Sequence, residues 1–473
     1  MLFSSLIFLF AFLPITLVGY YLARGWTARN ILLLAASLFF YAWGEPSYLW
    51  LMLLMVVMNY FLSIGIDSSQ QRRRKVFLGI AVTVNLGVLL YFKYADFVVG
   101  NLNWCRQHIF DSHHVIPSPR VALPLGISFF TFHCLSYVID IYRAKAAAQR
   151  DFVKLGLYIS LFPQLIAGPI IRYHEICDQL ALRSVDLDKF AEGVRRLVVG
   201  LGKKMLVANT VAKAADSIFG LPPDQLSLPL AWLAALSYTI QIYFDFSGYS
   251  DMAIGLGLMF GFKFPENFNF PYTAASIQEF WHRWHMTLSN WFRDYLYIPL
   301  GGNRSGSLRT CANLVTVFFL CGLWHGASWT FVIWGLYHGL FLGVERLGFA
   351  RVLEQLWHPL RHCYALLVVV IGWVLFRADS LNQAQGILSA MFGLTAAGVN
   401  ALPVDYYLTG KVACALLVGI IASTTIFRRI IWKPTQSRLW TPALRAVTVT
   451  VILLLSTAEL ASTSYNPFIY FRF

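Results

Sequence analysis

The chain has 473 residues, of which 58% are hydrophobic and 13% charged, with a net charge of +14 and a mean hydropathy of +0.60. Soluble domains carry roughly 25% charged residues, so a chain this long at half that value is an integral membrane protein and not a soluble enzyme. Its basic residues stand in short loops between apolar runs, as cytoplasmic loops do, and not on a solvated face that could meet phosphate, which argues against nucleic-acid binding.

A spanning helix needs about 20 mostly apolar residues. Apolar runs that could serve begin near residues 3, 31, 48, 76, 121, 152, 228, 310, 327, 363, 411 and 446. Several are short or broken by Gly and Pro. The expected fold is therefore an all-α polytopic membrane protein with roughly 9 to 12 membrane helices by the length rule, some of them re-entrant. The first run, MLFSSLIFLFAFLPITLVGYYL, lacks a basic n-region and an A-x-A site, so it reads as a retained span. The basic segments 23–29, 71–75, 142–150 and 427–438 read as cytoplasmic loops, which sets the N-terminus and the tail SYNPFIYFRF on the outer side.

The seven cysteines are scattered without a CxxC, so neither disulfides nor a zinc cage is indicated. Cys134, Cys321 and Cys414 fall in apolar runs and read as small core residues. No repeat, low-complexity tract or linker divides the chain, which reads as one domain over 1–473. Polar residues thicken between 150 and 345, where Gly and Pro interrupt the helices. Irregular backbone at membrane depth is tolerated only inside protein or along a wet cavity, so the site belongs in that stretch.

Four segments there could carry chemistry. In LYISLFPQLIAGPIIRY, 157–173, Pro163, Gly168 and Pro169 suggest a re-entrant hairpin, with Gln164, Arg172 and His174 facing a polar funnel. In 237–273, Asp245 and Asp251 stand in apolar surroundings beside Gln241, Ser247 and Ser250. A buried hydrogen-bond network accounts for them, with an ion path as the rival.

The third segment is EFWHRWHMTLSNWFRDYLYIPLGGNR. Its spacing predicts a helix from about Ser276 to Tyr297, with Trp281, Trp284, Leu288, Trp291 and Tyr295 on one face. His282 and His285, three apart, would be neighbours near that face. Such a helix lies in the interface or dips into a polar cavity. A zinc site on the two histidines lacks a third ligand.

The fourth is FFLCGLWHGASWTFVIWGLYHGLFLGVERL, with His325 at a break between apolar runs and His338 in the next run. A neutral imidazole is a cheaper polar group at membrane depth than a charge, and it suits proton transfer. Gly322 and Gly326 allow close approach of backbone or substrate. No Gly-rich phosphate loop, GxSxG elbow or HExxH occurs. On these residues alone a transferase and a transporter both remain open.

The motifs FPQLIAGPIIRY, YFDFSGYSDMAIGLGLMFGFKFPENFNFPY, EFWHRWHMTLSNWFRDYLYIPLGGNR, LWHGASWTFVIWGLYHG and the ending NPFIYFRF are long and collinear. Through them nearly the whole chain resembles the membrane-bound O-acyltransferases, in the bacterial alginate O-acetyltransferase branch. The resemblance implies a ring of membrane helices with a central funnel. It implies catalytic roles for His325, matching the family's invariant histidine, and for His285. On this reading His325 is the general base on the acceptor hydroxyl, and His285 orients the donor or stabilises its oxyanion. Arg283 and Arg293 are candidates to hold an anionic donor, and Asp245 and Asp251 are structural.

The resemblance further implies a location in the bacterial inner membrane. It implies a cytoplasmic acyl thioester such as acetyl-CoA as co-substrate, with no tightly bound cofactor and no metal. The partners implied are a periplasmic SGNH-hydrolase-like acetyltransferase, a polysaccharide acceptor and membrane lipid. Alginate or a similar exopolysaccharide is the expected polymer. Cellulose, peptidoglycan, and D-alanyl transfer to teichoic acid are the alternatives within the same chemistry, and a transporter is the alternative outside it.

Overall fold

The computed structural model describes residues 1–111, 114–304, 306–394, 402–425, 442–463 and 465–468. Regular structure among them is entirely helical. The expected cytoplasmic segment 427–438 and the last five residues of the tail lie outside the described residues.

The chain forms two compact bodies: Met1–Gly193 with Ala253–Pro265, and Val194–Met252 with Glu266–Phe473. The first contains α1 (Leu13–Leu22), α2 (Trp26–Ala42), α3 (Leu49–Ser68), α4 (Gln71–His108), α5 (Ile127–Tyr142), α6 (Phe152–Ser160), α7 (Phe162–Leu165) and α8 (Tyr173–Ala181). The boundaries between the bodies fall inside α9 (Leu187–Gly202) and α11 (Leu228–Met259). The second also holds α10 (Asn209–Phe219), α12 (Ile277–Arg283), α13 (Met286–Phe292), α14 (Ser307–His325), α15 (Trp329–Val344), α16 (Ala350–Gln355), α17 (His358–Arg377), α18 (Leu381–Met391), α19 (Val404–Tyr407), α20 (Gly410–Ala422) and α21 (Pro442–Ser462).

Among the described residues, five helical segments are long and apolar enough to cross a membrane: Pro46–Ser68, Gln71–His108, Ser307–His325, His358–Arg377 and Pro442–Ser462. Shorter apolar helices occupy Phe8–Leu22, Trp26–Ala42, Ile127–Tyr142 and Gly410–Ala422. At about 1.5 Å per residue α4 is near 57 Å long, well beyond the ~30 Å hydrocarbon core. The basic segment 71–75 is therefore the first turn of that helix and not a loop.

In the first body the opening motif and FPQL meet. Phe162 stands edge-on to Phe12, with ring centroids 5.4 Å apart, and to Phe3 at 6.4 Å. Polar side chains join the helices. Asn59 of α3 and Asn85 of α4 exchange amide hydrogen bonds of 3.1 and 2.8 Å, the kind of interhelical link that substitutes for a hydrophobic drive in lipid. The hairpin expected at 157–173 is present as a break rather than a funnel wall. Gln164 is fully buried and donates to the Tyr158 carbonyl. Arg172 pairs with Glu175, and His174 Nδ1 meets Asp140 at 2.8 Å.

The second body is organised by the α14–α15 hairpin, closed by Ser328, whose hydroxyl accepts the Thr330 N–H. A Cβ on Gly322 would stand 2.3 Å from the Phe331 carbonyl oxygen, and one on Gly335 2.3 Å from that of Phe318. Only glycine permits this approach, and dispersion over the shared backbone holds the pair. Arg195 and Arg196 of α9, with Lys203 and Lys204 of the π-helical turn Lys203–Ala208 that follows it, fall where no apolar run was expected. Of the cysteines expected in the core, Cys134 and Cys321 are buried, whereas Cys414 is exposed on the apolar helix α20. An apolar helix face in this setting meets lipid, so the residue type was read correctly and its surroundings were not.

Candidate functional site

The single helix expected from Ser276 to Tyr297 is two helices. Ser276 starts α12 by accepting the Glu279 N–H at 3.0 Å, and the Glu345 carboxylate accepts the N–H groups of Ile277 and Gln278 at 2.7 and 3.0 Å. A carboxylate on the orphan donors of a helix start is favoured by the helix dipole. The helix stops at Trp284, which is extended, and His285 follows in the left-handed region at φ 42° and ψ 53°. α13 begins at Met286. A non-glycine residue at positive φ costs of order 1–3 kcal/mol and persists where the surroundings over-determine it.

Asn267 supplies that constraint. Its backbone carbonyl accepts Met286 N–H at 2.9 Å. Its side-chain oxygen accepts the Thr287 backbone N–H at 3.3 Å and the Thr287 hydroxyl at 2.9 Å, and its amide nitrogen donates to Ser250 Oγ at 3.0 Å. A backbone N–H can only donate, so the amide orientation is fixed. His285 Nδ1, 3.0 Å from the same oxygen, must carry the proton. The Nε2 lone pair is then bare, and Nε2 has no hydrogen-bond partner among the described residues. This tautomer does not suit the expected oxyanion role, which needs a donor at Nε2.

His325 is the last residue of α14 and is buried. Trp324 packs against both histidines: its ring lies 6.2 Å from the His285 ring and 4.9 Å from that of His325. His325 also packs edge-on to Trp334 and Phe376, each at 5.1 Å, while Phe246 covers His285 at 4.6 Å. The two expected histidines thus share one aromatic wall within one body. His338 continues the row, edge-on to Trp334 at 5.3 Å and Trp281 at 5.1 Å. A Cβ on Gly372 would sit 2.6 Å from His338 Nε2.

The other expected candidates separate. His282 is exposed and His285 buried, because the break at Trp284 ends the helical spacing that would have made them neighbours. Arg283 is held within its own helix region, donating to Glu279 at 2.7 Å and to the Asn269 carbonyl at 3.2 Å. Arg293 pairs with its neighbour Asp294 at 2.8 Å, yet its side chain is half exposed and lines a cavity. Asp245 is bound by Lys204 at 2.6 Å, and Asp251 by Arg196 at 2.9 Å and Lys203 at 2.6 Å. Arg196 reaches Glu266 as well. The aspartates sit in a paired network and not on an open path. Asn267, Trp324 and the cations of α9 were missed in the sequence, because each acts through a partner far along the chain.

The cavity encloses about 330 Å³ in the second body. Its polar lining includes Gln278, His282, Asn290, Arg293, Tyr297 and Arg346.

A family model for MBOAT, the membrane-bound O-acyltransferase family, matches residues 36–383, a span that holds both histidines. The chain is 42% identical to the probable alginate O-acetylase AlgI of Azotobacter vinelandii, with all of both chains covered. It is 47% identical to the probable alginate O-acetylase AlgI of Pseudomonas aeruginosa, over 83% of this chain and 75% of that one. It is 39% identical to the peptidoglycan O-acetyltransferase of Helicobacter pylori, over 83% of this chain and 80% of that one.

Proposed function

The chain belongs to the membrane-bound O-acyltransferase family, and from that premise we propose that it passes an acetyl group from a cytoplasmic thioester across the inner membrane for O-acetylation of an exopolysaccharide such as alginate. It is a multi-pass membrane enzyme that transfers acyl groups to oxygen for polymer modification. The finer reading is supported by one observation above others: two buried imidazoles both pack against Trp324, one of them with a bare ring nitrogen.

In the proposed step the acceptor hydroxyl attacks the thioester carbonyl while His325 takes its proton. The tetrahedral intermediate collapses, the C–O bond stays, the C–S bond breaks, and the proton passes from His325 to the departing thiolate. A thioester is already an activated donor, so no covalent enzyme intermediate is needed. His285, whose Nε2 accepts and does not donate, orients an N–H or O–H of a substrate instead of holding the oxyanion. The aromatic wall keeps bulk water from the thioester. A periplasmic SGNH-hydrolase-like partner receives the acetyl group and completes transfer to polymer.

Similarity to the Helicobacter pylori peptidoglycan O-acetyltransferase favours peptidoglycan as the second acceptor reading. Polymer O-acetyl content in cells carrying His325→Ala, with membrane level followed by immunoblot, tests the proposal. Ester-linked acetate should vanish from exopolysaccharide at normal protein level. Loss from peptidoglycan alone reassigns the acceptor, and wild-type acetylation of both overturns the function.

A further inference from the structure

The first body holds a group of arginines that the chemistry at His325 does not use. α1 ends at Leu22, and Gly25, at φ 80° and ψ 158°, leads into α2. No side chain caps that start. The N–H groups of Trp26, Thr27 and Ala28 have no acceptor among the described residues, and Thr27 and Ala28 are exposed. Seventeen residues of aligned peptide dipoles place partial positive charge at this point.

Arg183 reaches the same point from the connection between α8 and α9. Its guanidinium lies 5.0 Å from the ring of Trp26, the first residue of α2, and the residue is only 5% exposed. Nε donates to Tyr20 Oη and to the Phe260 carbonyl, each at 3.1 Å. Nη1 donates to Asn30 Oδ1 at 2.8 Å and to the Gln179 carbonyl at 3.2 Å. Nη2 is left without a partner among the described residues. Arg29 lies against the same Trp26 ring, also at 5.0 Å, and donates to the Ala23 carbonyl at 3.3 Å. Arg24, in the loop before α2, is exposed. Among the described residues none of the three pairs with a carboxylate. Asp186, three residues after Arg183, is taken by Lys189 at 3.0 Å.

An uncapped helix start, three arginines without an acid and an orphaned buried donor together lack an anion. The apolar surroundings say which kind. Tyr21, Leu22, Leu182 and Leu187 flank the arginines in the chain and are exposed. A dissolved anion leaves such leucines uncovered, whereas a lipid headgroup brings acyl chains to cover them. Charge bias sets segment 23–29 on the cytoplasmic face, where anionic lipids gather.

We infer that the start of α2, with Arg24, Arg29 and Arg183, binds the phosphate of an anionic phospholipid of the cytoplasmic leaflet. The phosphate oxygens accept from the free N–H groups of the first turn and from the arginine forks. Trp26 is the platform that holds two of the guanidinium groups in place, and the exposed leucines lie against the acyl chains.

The test uses the purified full-length protein in detergent, with phosphatidylglycerol, phosphatidylcholine or inorganic phosphate added. Bound lipid is counted by native mass spectrometry, and the thermal midpoint is followed. Phosphatidylglycerol should bind at least about tenfold more tightly than phosphatidylcholine and should raise the midpoint. The double variant Arg24→Gln with Arg29→Gln should abolish that preference. Thr27→Glu places a carboxylate in the first turn of α2, where the dipole favours it. It should abolish the preference too, while the midpoint in phosphatidylcholine stays at or above that of the wild type. Loss of the site is thereby separated from loss of the fold. A midpoint raised as much by inorganic phosphate as by phosphatidylglycerol, and no longer raised in the same variants, upholds the anion site and overturns the lipid as its occupant. Equal binding of the two lipids by the wild type, or a preference indifferent to both variants, overturns the inference.

Discussion

At the scale of the residue, His285 is held by its backbone as much as by its side chain. The left-handed conformation suits asparagine and is hostile to β-branched residues. His285→Asn should therefore reach wild-type membrane levels while losing acetyl transfer, and His285→Val should accumulate poorly; immunoblot and polymer acetate separate the two effects. Asn267 has the complementary role. Asn267→Asp keeps an acceptor for Nδ1–H and for Thr287, so it should retain most activity. Asn267→Leu frees the ring to adopt the other tautomer and should lower transfer by about 10²-fold, the scale of a misdirected acid–base group. Initial rates per unit protein in washed membranes would check both. His285 itself was legible through its motif. Its geometry was not, since the 3, 4, 3, 4 spacing of aromatics continues across Trp284 as though the helix did. The clamp comes from a residue 18 positions away, which local periodicity does not reach.

Among the elements, the α14–α15 hairpin fixes where His325 stands. Its two glycines face each other with no room for a methyl group. Gly335→Leu should drive the helices apart and remove folded protein, visible as lost monodispersity in detergent size exclusion. Gly322 was noted in the sequence for its permissiveness; its partner Gly335 was not, because the pairing needs the fold of the hairpin. α9 shows the opposite failure. No apolar run was expected there, yet Arg196 of α9 and Lys204 of the π-helical turn after it are buried, paired with Asp251 and Asp245. Lys204→Met removes the cation 2.6 Å from the buried Asp245, at a cost of about 3–5 kcal/mol. The double variant Lys204→Met with Asp245→Leu should recover much of that loss, measured as the thermal midpoint of each protein in detergent.

Across the whole molecule, composition alone was enough to place the chain in a membrane. Exposed apolar residues such as Leu444, Val447, Val451 and Leu454 on α21 are what a lipid-facing helix presents. Charge bias sets the topology, and an epitope placed beside Arg73 at the start of α4 should be reached by antibody only after the cytoplasm is opened. The motifs carried the family. They did not carry the cavity, whose wall is assembled from Arg293, Arg346 and one face of α14. Arg293 was a candidate in the sequence, whereas Arg346 and the α14 face gain meaning only when brought beside it.

The ion pairs of α9 and of the π-helical turn that follows it also bear on how the protein is made. Lys204 meets an aspartate 41 residues further along the chain, and Arg196 meets one 55 residues further. During synthesis, therefore, α9 leaves the ribosome before the acidic groups that neutralise it exist. Arg196 and Lys204 are made before Asp251 and Asp245, so their pairing awaits α11. A pause or truncation between residues 209 and 245 should leave those cations without these partners, which faster pulse-chase decay of the nascent chain would show.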